Sequence, residues 1–257
     1  MYEMKNKIVV ITGASAGIGK ACAFEFAKAG AKLILISRRI ELLEKFSNDL
    51  KKLSGNDVLN LQLDVRDKKD VENKINSLPD HWKKIDVLIN NAGLARGLSK
   101  IDEGKIQDWE EMIDTNVKGL LFMTRMISPL MVERGFGHII NIGSIAGHEV
   151  YPMGNVYCAT KFAVKALTKG MRIDLLDKNI RITSVDPGMV ETEFSLVRFS
   201  GDEERAKKVY EGTKPLSPED IADTVMYCAT RPPHVNINEI VVMPTVQAST
   251  MHLIREA

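Results

Sequence analysis

Cysteine is scarce in this sequence: Cys22, Cys158 and Cys228 are the only three, far apart, with neither a CxxC pair nor the spacing of a zinc site. That argues against a disulfide framework or a zinc module and leaves reduced, buried thiols as the expectation. The histidines His81, His138, His148, His234 and His252 are scattered, without His/Asp/Glu partners at ligand spacing, so no metal is expected. Charge of one sign is also lacking. Lys+Arg of 35 against Asp+Glu of 34 gives a formal net charge of +1, too little to attract nucleic acid or acidic lipid. Long apolar runs are missing as well. The polar start Met1–Lys7 leads into a stretch ending at Thr12, too short for a signal-peptide core or a membrane span, so a cytoplasmic location is expected. With no repeat, low-complexity tract or flexible linker, residues 1–257 read as a single domain.

What is present is an alternation. The composition, 44% hydrophobic and 27% charged, is that of a globular chain able to bury a sizeable core. Short β-branched runs at Lys7–Thr12, Lys32–Ile36, Val58–Leu63, Ile85–Ile89, His138–Ile142, Arg181–Val185 and Glu239–Val242 read as strands. Apolar residues at helical spacing mark Ile18–Ala29, Ile40–Leu53, Lys68–Leu78, Asp108–Val132, Val156–Leu176 and Pro218–Ala229 as helices. Strands that are apolar almost throughout belong in a parallel sheet covered on both faces. The expected fold class is therefore α/β, a doubly wound parallel seven-stranded sheet of the Rossmann type. The long excursion after the sixth strand, Pro187–Pro215, lies where such sheets bind ligands, so residues 188–215 are a candidate substrate lid.

Thr12-Gly13-Ala14-Ser15-Ala16-Gly17-Ile18-Gly19 joins the first strand to the first helix, where a pyrophosphate can meet free backbone N–H groups and the positive helix end. A tight structural turn has a similar composition, but strand before and helix after favour a dinucleotide site at Gly13 and Ser15–Gly19. After the second strand stand Ser37-Arg38-Arg39, where an acidic residue would select NAD. Arg38 and Arg39 favour NADP, because a guanidinium can hold the 2′-phosphate that a carboxylate would repel. Asp64-Val65 fit contact with the adenine ring, or Asp64 caps the next helix. Asn91-Ala92-Gly93 can bring a small-residue turn against the cofactor, and Pro187, Gly188, Val190 and Thr192 can form the nicotinamide pocket.

Tyr157 and Lys161, four residues apart on a predicted helix, share one face. Tyrosine ordinarily titrates near pH ~10, so acting as a base near neutrality requires about 4 kcal/mol from neighbouring positive charge, which Lys161 and an oxidised nicotinamide can supply. Ser144, just past the fifth strand, lies at the same sheet edge and can hydrogen-bond a substrate oxygen, or it is a cap. Asn116 inside an apolar helix needs partners. It can hold a water that relays protons to Lys161, or be a satisfied core amide.

With these motifs together the chain resembles the short-chain dehydrogenase/reductase family from end to end: TGASAGIG, NNAG at Asn90, Asn116, Ser144, Tyr157-Cys-Ala-Thr-Lys161 and Pro187-Gly188. The resemblance implies Tyr157 as general acid/base, Lys161 lowering its pKa and binding ribose, Ser144 polarising the carbonyl, Asn116 holding the relay water and Asn91 contacting NADP. It also implies a homotetramer formed through the two long helices. The strings Glu193–Phe199, Leu216–Asp220, Pro233–Asn238 and Met243–Thr245 are similar to those of the 3-hydroxy acid dehydrogenases. That similarity implies oxidation, with NADP, of L-serine, L-allo-threonine, 3-hydroxypropionate or a related acid, or the reverse reduction of a semialdehyde. Arg198 is the candidate for the substrate carboxylate, beside Ser144 and Tyr157. Three readings compete: a reductase of 3-oxoacyl thioesters, with the same catalytic residues and a wider site; a quinone, sugar or steroid reductase, which the 3-hydroxy-acid strings disfavour; and a non-catalytic NADP-binding sensor or scaffold, which the intact tetrad disfavours.

Overall fold

The computed structural model describes residues 3–255; Met1, Tyr2, Glu256 and Ala257, at the ends of the expected domain, lie outside the described residues. Strands and helices alternate as β1 (Ile8–Thr12), α1 (Gly17–Lys28), β2 (Lys32–Ser37), α2 (Ile40–Ser54), β3 (Val58–Gln62), α3 (Lys68–Asn76) and β4 (Ile85–Asn90). They continue as α4 (Ile106–Ile113), α5 (Leu120–Arg134), β5 (Gly137–Ile142), α6 (Asn155–Asp174) and β6 (Ile180–Pro187). The chain then forms α7 (Phe194–Arg198), α8 (Glu203–Lys208), α9 (Pro218–Ala229) and β7 (Glu239–Val242). Among the described residues these strands form one parallel sheet in the order β3-β2-β1-β4-β5-β6-β7. The α/β doubly wound fold expected from the alternation is the fold observed.

Side-chain alternation along each strand divides the core. Val9 and Ile11 of β1, with Leu33 and Leu35 of β2, point to one face, where α1, α2 and α9 bury Phe26, Leu43, Leu50, Ile221 and Val225. Their neighbours Val10, Ile34 and Ile36 point to the other, against Val71, Ile75, Met123, Ile127 and Met131 of α3 and α5. Both faces being covered is why β1, β4, β5 and β6 are buried at every position, while the edge strands β3 and β7 keep exposed residues. Helix starts carry their own signals: Ser217 and Asp220 form a reciprocal capping box at α9, and Asp67 accepts the Asp70 N–H at α3.

One helix differs from expectation. The segment read as continuous from Asp108 to Val132 breaks into α4 and α5 around a π-helical turn, Asp114–Gly119. That wider turn carries Asn116, whose amide is turned inward to partners on other elements. Among the described residues no helix is long and apolar enough to cross a membrane.

In a sheet of this order the chain reverses direction between β1 and β4, and the loops at the carboxyl ends of the strands diverge there into a crevice. The segment after β6 runs over that crevice. Its helices α7 and α8 are short, and it is docked on the body by Gly97 N to Arg198 O at 2.8 Å and Arg96 Nη1 to Val197 O at 2.8 Å.

Candidate active site

The crevice encloses a cavity of about 690 Å3. Of the residues singled out from sequence, Gly13, Ser15, Ala16, Gly17 and Ile18 line it at the start of α1, Arg38 and Arg39 after β2, and Asp64 and Val65 after β3. Asn91, Ala92 and Gly93 line it after β4, Ser144 after β5, Tyr157 and Lys161 from α6, Pro187, Gly188, Val190 and Thr192 after β6, and Arg198 from α7. Gly19 and Asn116 stand one layer behind. A Cβ on Gly19 would lie 2.4 Å from Gly13 O and 2.5 Å from Asn91 Nδ2, so glycine there lets α1 close on the turn after β1.

That turn is stitched to the loop after β4. Thr12 Oγ1 accepts from Asn91 N at 3.0 Å and Ala92 N at 2.9 Å, while Asn91 Nδ2 donates to Thr12 O at 2.9 Å. The result is a small-residue cradle at a helix N-terminus, the donor set a pyrophosphate needs. Beside it, Arg39 donates from Nη2 to Ser15 Oγ at 3.1 Å and from Nη1 to Glu193 Oε2 at 3.1 Å. Half-exposed Arg38 approaches Glu111 to 4.0 Å. A cradle of this shape with two guanidiniums at its end fits a dinucleotide bearing an extra phosphate.

Asp64 is clamped by Arg66, whose Nη2 donates to Oδ2 at 2.6 Å. Burial opposes its ionised form, but the hydrogen bonds from Arg66 outweigh this and hold the carboxyl below its usual range. The cap of α3 that Asp64 could have supplied is Asp67. Glu111 collects Arg96 at 2.6 Å and Arg66 at 3.4 Å, and the Arg96 hydrogen bond keeps it ionised.

At the other end, Lys161 Nζ lies 5.9 Å from the Tyr157 ring centroid and donates to Ile142 O at 3.0 Å. Burial pulls Lys161 down to about 8 against the attraction of Asp186. Tyr157 moves the other way: burial and the neighbouring Tyr151 push it well above the ordinary tyrosine value, while Arg198 and a Ser144 hydrogen bond pull it down. Ser144 Oγ also accepts from Ala146 N at 3.1 Å, so the serine caps the turn Ile145–Gly147 as well as facing the cavity. The Asn116 amide is clamped from Nδ2 to Leu94 O at 2.8 Å and Thr160 Oγ1 at 3.0 Å, and from Leu94 N to Oδ1 at 2.8 Å. Both amide N–H groups are thereby used, and the second lone pair of Oδ1 is what the side chain can offer a water.

Arg198 reaches from α7 over this group. Its Nη2 donates to Tyr151 Oη at 2.8 Å, its Cζ lies 5.1 Å from the Tyr157 ring centroid, and its Nε is buried with no partner. Arg198 also lines the cavity, so its guanidinium is a charged donor beside Tyr157 that an oxyanion can use.

Sequence reasoning missed Tyr151, Glu111 with Arg66 and Arg96, and Tyr210, whose hydroxyl donates to Val190 O at 3.1 Å and ties the segment after β6 to its own stem. No motif marks them: Tyr151 meets Arg198 across 47 residues, Arg66 meets Glu111 across 45 and Arg96 meets Glu111 across 15. The sequence places no His, Asp or Glu at ligand spacing from His148, yet in the fold its Nε2 lies 2.7 Å from Asp186 Oδ2 and its Nδ1 3.9 Å from Glu239 Oε1. Their sequence separation hid the group, and Lys165 Nζ, 2.6 Å from His148 Nδ1, puts a resident cation in it.

The profile of the short chain dehydrogenase family matches residues 7–202. The NADP-dependent 3-hydroxy acid dehydrogenase YdfG of Salmonella typhi is 50% identical over 242 residues, 94% of this chain and 96% of that protein. The NADP-dependent 3-hydroxy acid dehydrogenase of Schizosaccharomyces pombe is 46% identical over 257 residues, 100% of this chain and 99% of that one. Among solved structures, the closed form of serine dehydrogenase complexed with NADP+ superposes with a TM-score of 0.91 at 45% identity, covering 97% of this chain and 100% of that chain.

Proposed function

The chain belongs to the short chain dehydrogenase family, and we propose that it is an NADP-dependent oxidoreductase interconverting a small 3-hydroxy acid and its 3-oxo acid or semialdehyde. The observation that carries the substrate class is the Arg198 guanidinium, 5.1 Å from the Tyr157 ring centroid and lining the same cavity as the phosphate cradle. A carboxylate on Arg198 leaves a hydroxyl two carbons away within reach of Tyr157 and Ser144. The relatives named as 3-hydroxy acid and serine dehydrogenases support the same class.

In this reading Gly13 and Ser15–Ile18 hold the pyrophosphate, with Gly19 behind them. Arg38 and Arg39 hold the 2′-phosphate, Asp64 and Val65 flank the adenine, Asn91, Ala92 and Gly93 back the ribose, and Pro187, Gly188, Val190 and Thr192 flank the nicotinamide. Bound NADP+ supplies the hydride acceptor and a positive ring beside Tyr157. Tyr157 takes the proton of the substrate hydroxyl as the carbonyl forms, and in the reverse direction returns it. Lys161 lowers the cost of the Tyr157 phenolate, Ser144 hydrogen-bonds the substrate oxygen, and Asn116 with its clamp holds the water through which the proton leaves. Residues 188–215 act as a lid that carries Arg198 onto the substrate, part of a single domain spanning 1–257.

We further infer a cytoplasmic homotetramer. Phe162 and Ile173 of α6 and Ile113 at the end of α4 are 41%, 75% and 42% exposed in the single chain, an apolar face suited to burial against another copy. Light scattering on the purified protein tests the assembly.

The activity is tested by NADP+ reduction, followed by absorbance, across L-serine, D-serine, L-allo-threonine, 3-hydroxypropionate, 3-hydroxybutyrate and simple secondary alcohols, with Tyr157→Phe in parallel. Turnover confined to 3-hydroxy acids and lost in Tyr157→Phe, by roughly 100-fold or more with NADP+ still bound, is the expected result. Turnover indifferent to Tyr157 overturns the assignment.

A further inference from the structure

Asp186 is the penultimate residue of β6, 1% exposed, in a strand buried at every position. A buried carboxylate needs hydrogen bonds and a countercharge, or its desolvation costs several kcal/mol. The hydrogen bonds are present: Ser184 Oγ donates to Oδ1, and His148 Nε2 lies 2.7 Å from Oδ2. Oδ1 is also pressed against the main chain after β5, where a Cβ on Gly143 would fall 1.9 Å from it. Gly143 directly follows Ile142, whose carbonyl receives the Lys161 ammonium. The carboxylate and the ammonium therefore reach adjacent residues of one piece of backbone, Gly143 and Ile142.

We propose that Asp186 is a positioning residue for Lys161: fixed by Ser184 and His148, its carboxylate keeps the buried lysine charged. The proposal rests on the reading of Lys161 as the partner of Tyr157. The attraction of Asp186 is what opposes the effect of burial on Lys161. Lys165 stands one turn along α6 from Lys161, 2.6 Å from His148 Nδ1 and 3.5 Å from Glu239 Oε1 of β7. Charges thus alternate outward from the site, Lys161, Asp186, Lys165 and Glu239, with His148 between the inner and outer pairs. The other titratable groups near Lys161 are Tyr157 on its own helix and Arg198 and Tyr151, which face the Tyr157 ring from the far side. None of these is an anion at neutral pH, and Asp186 is the anion whose attraction acts on Lys161.

The test reads Lys161 directly in the cofactor-free protein. Lysine labelled with 13C at Cε gives one resonance per side chain, and the one missing in Lys161→Met is assigned to Lys161. Its titration midpoint is expected to fall by roughly one pH unit in Asp186→Asn and to rise by roughly half a unit in Lys165→Met, since one variant removes an attracting anion and the other a repelling cation. Shifts of opposite sign are what a charge effect produces and a packing defect does not. If Asp186→Asn does not fold, Asp186→Glu takes its place: it keeps the charge but moves it along a longer side chain, and the Lys161 midpoint is expected to shift. A midpoint unmoved in the variants that fold overturns the proposal. Failure of the parent reading is separate: it would show as NADP+-dependent oxidation of L-serine and 3-hydroxypropionate unaffected by Lys161→Met.

Discussion

The guanidinium carbon of Arg198 lies 5.1 Å from the Tyr157 ring centroid, a cation delivered by the segment after β6 onto the aromatic ring held by α6. Its Nη2 is spent on Tyr151, and its buried Nε is not spent at all. Arg198→Ala should therefore lower kcat/KM for 3-hydroxy acids by roughly 100-fold, the worth of a charged hydrogen bond, while NADP+ affinity changes little. Steady-state kinetics with 3-hydroxypropionate, alongside fluorescence titration of NADP+, separates the two effects. Undiminished use of the free acid, or a preference for an acyl thioester, would move the carboxylate away from Arg198.

The arginines after β2 make a cofactor prediction. Arg39 spans from Ser15 in the cradle to Glu193 in the segment after β6, and Arg38 sits half-exposed beside Glu111. An exposed ion pair contributes little by itself, so both guanidiniums can turn to a 2′-phosphate at small cost. Arg38→Asp combined with Arg39→Ala should weaken NADP+ binding by roughly 100-fold or more and NAD+ binding far less. Equal losses for both dinucleotides would place the discriminating residues elsewhere.

Much of this arrangement was legible in the residues because it is local. The run Ile8–Thr12 reads as a buried strand, the glycines that follow it mark the turn, and Tyr157 and Lys161 meet on one helix face because they are four apart. What was not legible depends on distant chain. Glu111 meets Arg66 across 45 residues, Arg39 meets Glu193 across 154, and Asp186 meets His148 across 38. The π-helical turn at Asn116 escaped for another reason: over six residues, a wider helical repeat leaves no imprint on an apolar pattern.

The depressed Lys161 gives stability a pH dependence of defined sign. Its value in the fold is about 8 against an ordinary 10.5. Between those values the unfolded chain binds more protons than the folded one, so this group's contribution to stability increases as pH rises. Below the folded value, the buried charge carries its full cost. Wild type should gain roughly 2 kcal/mol relative to Lys161→Met between pH 7 and pH 10, because titrations common to both proteins cancel in the difference. Urea unfolding at the two pH values measures it, and a difference constant with pH would mean that Lys161 keeps an ordinary value in the fold.

Two glycines make a paired test of the cradle. A methyl at Gly19 would collide with Gly13 O at 2.4 Å, and backbone cannot give way as a flexible side chain can. Gly19→Ala must therefore push α1 off the phosphate turn, costing about 1–3 kcal/mol of stability and weakening NADP+ by roughly 10-fold or more. Gly170, within α6, has nothing within 4 Å of where its Cβ would stand. Gly170→Ala should stabilise the fold by about 0.5–1 kcal/mol through helix propensity alone and leave NADP+ binding unchanged. Thermal melts with and without NADP+ read both quantities. If Gly19→Ala binds NADP+ as tightly as Gly170→Ala does, the pyrophosphate does not rest on this turn, and the assignment of Gly13 to Gly19 as its cradle falls with it.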